Sequence, residues 1–123
     1  MSVHLVGGGR DPLRAVETFR PFMTEVFAHA DAKAPVVALL LVLEPDDSAS
    51  VDRFRGLLLD AGAEPESVRV HVVTEGSVFE SDAVHGVDGI VVGGGLTPAY
   101  LEALLPLASS IRRLVGGGAP YLG

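Results

Sequence analysis

Three consecutive glycines, Gly93-Gly94-Gly95, follow the β-branched run Ile90-Val91-Val92 and precede Leu96-Thr97-Pro98. The order is strand, glycine turn, helix start. Glycine tolerates positive φ and lets other groups come close to the backbone, and Thr97 followed by Pro98 predicts an N-cap with a proline in the first turn. Such a turn aims several backbone N–H groups at one point, with the positive end of a helix dipole behind them. That arrangement suits an anion, or the oxyanion that develops during acyl transfer. A tight connecting loop satisfies the same spacing, and spacing alone does not choose between the two. A second triplet, Gly7-Gly8-Gly9, follows the short strand-like segment 3–6 and leads into Asp11-Pro12, which repeats the pattern. Neither triplet is followed by a Walker lysine, and Gly7-Gly8-Gly9-Arg10-Asp11-Pro12 departs from the G-x-G-x-x-G dinucleotide fingerprint.

Other residues with chemical potential are sparse. Asp82 and His85, three apart, form a conceivable metal pair on one helical turn. Two ligand types without a third are better explained as a solvated short helix, so no metal and no cofactor are expected. His4 and His71 lie in strand-like segments and are read as satisfied structural histidines. His29, near the end of a helical pattern, is read as a surface residue favoured by the helix dipole. Nothing near them supplies a nucleophile with a matching base. The chain has no cysteine, which excludes disulfides, thiolate metal sites and a cysteine nucleophile together.

Over the whole chain, 123 residues with 16 Asp+Glu against 9 Lys+Arg give a formal charge of −7. Lys33 is the only lysine. A phosphate-backbone footprint is missing, so nucleic acid is not an expected partner. The start, Met1-Ser2-Val3-His4, has no basic n-region, and the longest apolar run, residues 35–43, is too short to span a bilayer. The expectation is a cytoplasmic protein without a membrane partner. Hydrophobic residues make up 48% and the mean hydropathy is +0.40, more apolar than a free-standing domain of this length requires.

The elements that would position the glycine turns alternate regularly. Leu13, Val16, Phe19, Met23, Val26, Phe27 and Ala30 give one apolar helical face, with Pro21 expected to kink it. Residues 36–43 are continuously apolar, as for a parallel strand buried on both faces. Val51, Phe54, Leu57, Leu58 and Ala61 mark the next helix, closed by Gly62. Residues 67–73 read as a strand nearer an edge, and a last helix from Pro98 is broken at Pro106 and stopped by Gly116-Gly117-Gly118. Residues 119–123 begin a fifth strand. This alternation predicts one α/β domain over residues 1–123, a doubly wound parallel sheet of order 3-2-1-4-5 with helices on both faces. In that order strands 1 and 4 are neighbours, and their two glycine turns flank the switch-point crevice where ligands bind.

Ile90-Val91-Val92-Gly93-Gly94-Gly95, the helix after it, and Gly118-Ala119-Pro120-Tyr121-Leu122-Gly123 together resemble the dipeptidase E and cyanophycinase family of serine peptidases, of class I glutamine amidotransferase-like fold. In that family a glycine turn, a helix and a strand lead to a nucleophile elbow of the type G-x-S-A-G. The resemblance implies that Gly123 is the first elbow glycine and that the nucleophilic serine lies beyond Gly123. It implies that Gly93, Gly94 and Gly95 supply backbone donors to the oxyanion, and that Gly8, Gly9, Leu96, Thr97 and the segment 74–79 shape the substrate cleft. Leu96 stands where family members commonly carry Asn or Asp. The family's histidine also lies downstream of its serine, so none of His4, His29, His71 and His85 corresponds to it. The implied function is the N-terminal part of a hydrolase acting on peptide or isopeptide bonds, not catalytically complete by itself. It would be completed by a following segment or a companion C-terminal chain, for example after cleavage of a precursor, and a homodimer of the completed protein is compatible with the layout. The alternative is a non-catalytic amidotransferase-like domain that binds an anionic small ligand or serves assembly.

Overall fold

The computed structural model describes residues 3–4, 12–30, 34–44, 47–93 and 97–122. In chain order the elements are β1 (Val3–His4), α1 (Pro12–Ala30), β2 (Val37–Val42), α2 (Ser48–Asp60), a 3₁₀ turn (Pro65–Ser67), β3 (Val68–Val73), β4 (Gly89–Val92), α3 (Thr97–Leu104), a second 3₁₀ turn (Leu105–Leu107), α4 (Ala108–Gly116) and β5 (Tyr121–Leu122). All strands pair in parallel, in the order β1-β5-β4-β2-β3. The α/β class and the parallel sheet therefore stand as expected. Among the described residues no helix is long and apolar enough to cross a membrane.

The strand order differs from 3-2-1-4-5. β1 does not separate β2 from β4 but sits at the far edge beside β5. The reason lies in what a central strand must offer. All six residues of β2 are buried, and Gly89, Ile90 and Val91 of β4 are buried as well, so each of these strands has the apolar faces that two covering layers demand. β1 contributes two residues to its ladder, Val3 opposite Tyr121 and His4 opposite Leu122, which suits an edge. α1, at 19 residues, packs on β5 and β4 as the chain passes from that edge to β2.

The two faces of the sheet have separate cores. Phe19, Phe22, Met23 and Val26 of α1 join Leu58 of α2 against Val37, Leu39, Leu41 and Val91. On the other face Phe79, Ala83, Val84 and Val87, with Tyr100, Ala103 and Leu107, cover Ala38, Leu40 and Ile90. Connections that step from β1 to β2 to β3 thus lie on one face, and those that step back from β3 to β4 to β5 lie on the other. A constant crossover hand requires this.

Local signals account for most element ends. α1 runs continuously through Pro21, which lies inside the helix. Asp47 caps α2 by accepting the Ser50 N–H at 3.1 Å, and Gly62 follows its C-cap with φ +113°, where an L side chain would be strained. Pro106 sits in the 3₁₀ turn that separates α3 from α4. Gly89 meets a steric requirement instead. A Cβ there would lie 2.6 Å from Val26 Cγ2 and 2.9 Å from Phe22 Cζ, so its missing side chain lets α1 sit down on β4. Gly89→Val is expected to overpack this contact and lower stability by about 1–3 kcal/mol, measured as a reduced urea midpoint with an unchanged m-value.

Candidate functional site

In a doubly wound sheet the ligand crevice opens at the C-terminal ends of adjacent strands whose following connections leave in opposite directions. With the observed order those strands are β2, which leads to α2 and β3, and β4, which leads to α3 and β5. The crevice therefore opens beside the C-terminal ends of these two strands, next to Leu43 and Glu44 on one side and Gly93 on the other. β1 is not one of its walls, because β5 stands between β1 and β4. Gly8 and Gly9 themselves lie outside the described residues, as do Gly94, Gly95, Leu96 and Gly123. The side chain of Thr97, the first residue of α3, is also outside the description.

Gly93 is described, and its geometry corrects its expected role. Its N–H donates to the Leu40 carbonyl at 3.0 Å, which extends the β2–β4 ladder by one residue. A donor committed to the sheet does not serve an oxyanion. The absence of a side chain has its own cause here, because a Cβ would collide with Leu41 Cδ2 and lie 3.1 Å from Phe54 Cε2. Gly93 is thus a packing glycine beside Leu41 and Phe54.

α3 is fastened to the crevice from below. The Tyr100 hydroxyl accepts the Val42 N–H at 3.0 Å in a buried setting. Val42 is the last residue of β2, so the bond joins the helix after one crevice strand to the end of the other. Burial pushes the Tyr100 phenol above its ordinary range, and the Val42 N–H acts in the opposite sense. The segment after β3 is tied to the same helix through the Phe79 N–H, which donates to Ala103 C=O at 3.0 Å. On the other wall Asp47 accepts from the Ser50 hydroxyl at 2.7 Å as well as from its N–H. These bonds, the hydroxyl first, hold the Asp47 carboxyl below the usual carboxylate range.

The histidines are placed as follows. His29 is not a simple surface residue: its ring is half-buried and Nδ1 lies 3.2 Å from Asp88 Oδ1. Asp88 is fully buried. Its Oδ2 accepts the Val36 N–H at 3.0 Å, and its own N–H donates to Val36 C=O at 2.7 Å. A buried carboxylate requires such partners, and this one joins the end of α1, the approach to β2 and the head of β4. That is the N-terminal edge of the sheet, opposite the glycine turn. The only sequence signal was an acid directly before an apolar strand. His71 is not satisfied, since its buried Nε2 has no hydrogen-bond partner among the described residues. Asp82 and His85 are both exposed on a turn closed by His85 N–H to Asp82 C=O, and no group of three metal-ligating side chains occurs among the described residues.

Two measurements check this geometry. Tyr100→Phe leaves the buried Val42 N–H without its acceptor and is expected to cost about 1–3 kcal/mol in chemical denaturation. Asp47 has a folded pKa below its unfolded one, so its contribution is complete above the ordinary aspartate range and is lost as pH falls through the lowered value. Asp47→Asn keeps a cap acceptor that does not titrate, and the acid limb of a stability profile should flatten accordingly.

Comparison of the chain with protein-family models, with curated proteins and with solved structures finds no match.

Proposed function

We propose that the chain is the N-terminal part of a serine-type acyl hydrolase resembling dipeptidase E and cyanophycinase, acting on peptide or isopeptide bonds. The observation that carries this reading is the pairing of β4 with β5, in which Ile90 stands opposite Tyr121 and Val91 opposite Leu122. Adjacent parallel strands end side by side, so a turn after β4 and a nucleophile turn after β5 would share one mouth. That is the relation an oxyanion hole needs to its nucleophile.

In this reading a serine on a following segment or companion chain attacks the scissile carbonyl, and a histidine from the same source takes its proton. The N–H groups of Gly94 and Gly95, together with the N–H after the serine, receive the oxyanion. Gly93 holds the turn down, and Tyr100 holds α3 against β2. The second reading, an amidotransferase-like domain that binds an anion without catalysis, draws on the commitment of the Gly93 N–H to the sheet.

Labelling native material with a fluorophosphonate, followed by intact-mass analysis, separates them. The hydrolase reading expects one adduct on a serine in the segment following Gly123, and Gly94→Val should abolish peptide turnover while the circular dichroism spectrum stays unchanged. Absence of any adduct on folded material would remove the hydrolase and leave the binding domain.

A further inference from the structure

β3 is the terminal strand of the sheet, paired with β2 through all six of its residues. Its backbone orientation follows from one bond. The Leu43 N–H donates to Val73 C=O at 2.9 Å, so residue 73 turns its polar groups toward β2. The two-residue period of a strand then turns those of Val68, Val70 and Val72 outward. The Val68 N–H is taken by Pro65 C=O. Val70 and Val72 each direct both an N–H and a C=O away from the sheet, with no partner for them among the described residues.

Protected edges carry a proline, a bulge, a lysine or an inward charge. Val68-Arg69-Val70-His71-Val72-Val73 has no proline, glycine, lysine or acid, and its register with β2 runs without interruption. Arg69, its one charged residue, is exposed and turns a guanidinium N–H to the His85 carbonyl at 3.3 Å. Val72 is 47% exposed, on the same face as Val70.

We propose that this edge is a self-association surface, and that its occupant is β3 of a second copy of this chain, paired antiparallel across a two-fold axis at His71. Two complete donor–acceptor residues select that register. Val70 of one copy faces Val72 of the other, and each such pair exchanges two main-chain hydrogen bonds. On the α2 face the exposed Val72 packs beside Val70 of the second copy. On the opposite face His71, with its unpartnered Nε2, meets its own copy at the axis. The charges agree with an antiparallel arrangement. Arg69 precedes the centre of the strand and Glu75 follows it, both exposed, so each guanidinium end runs alongside the carboxylate end of the second copy while the two Arg69 side chains stay apart. The symmetry is isologous and closes as a dimer, joining two five-stranded sheets into one continuous sheet. This surface is separate from the crevice between β2 and β4 and does not depend on the hydrolase reading.

Sedimentation velocity of the full chain over a concentration series tests the proposal. A reversible monomer–dimer equilibrium is expected. Val72→Pro deletes an outward N–H at an edge position where proline is tolerated, and Val72→Lys places a charge on the same spot. Each should raise the dimer Kd at least about tenfold while the monomer keeps its circular dichroism spectrum. If Val72→Pro perturbs the fold, Val72→Lys decides alone, since its side chain is exposed. Arg69→Glu should weaken the dimer, and the exchange Arg69→Glu with Glu75→Arg should restore it. A chain that sediments as a monomer throughout, or a dimer indifferent to the Val72 substitutions, overturns the proposal, as does a monomer whose edge captures an unrelated extended peptide instead.

Discussion

Every residue of β2 is buried, and the rest of the architecture follows from that constraint. A strand buried on both faces needs a partner on each side and a layer above and below. β3 and β4 supply the partners over six and four residues. Odd-numbered residues Val37, Leu39 and Leu41 turn to α1 and α2, and even-numbered residues Ala38, Leu40 and Val42 turn to α3 and the segment before β4. Because the chain leaves β2 and β4 in opposite directions, the strand that organises the core also defines one wall of the crevice. Core and candidate site are therefore not separable in this small domain.

β4 shows how closely the layers fit. Its residues 89, 91 and 93 all turn toward α1 and α2, and the sequence there is Gly, Val, Gly. One glycine admits Phe22 and Val26, and the other admits Leu41 and Phe54. Glycines that look like parts of a ligand turn in one dimension are, at Gly89 and Gly93, the places where neighbouring side chains enter the strand.

Much of the fold was legible because its causes are local. A continuous apolar run gives β2, Gly62 closes α2, and Pro106 divides the last helical segment. The strand order was not legible, since it depends on which strands pair across long connections, and the two glycine triplets invited a neighbourhood that β5 interrupts. His29 was misread for the same reason. Its partner Asp88 is 59 residues away, and nothing within a helical turn of His29 announces a buried carboxylate. Adjacency of β4 and β5, by contrast, is common to the expected order 3-2-1-4-5 and the observed one, and the functional proposal rests on it.

The Asp88 carboxylate has a kinetic consequence. Its bonds to Val36 and His29 close loops of 52 and 59 residues, and closure of a long loop is entropically costly before any contact rewards it. Such contacts are expected to form after the local helices and the β2–β3 pair. Interactions absent from the folding barrier act on the way out instead, slowing the escape of an assembled molecule more than they hasten its assembly. By this logic the His29–Asp88–Val36 clamp is expected to weigh on unfolding more than on folding.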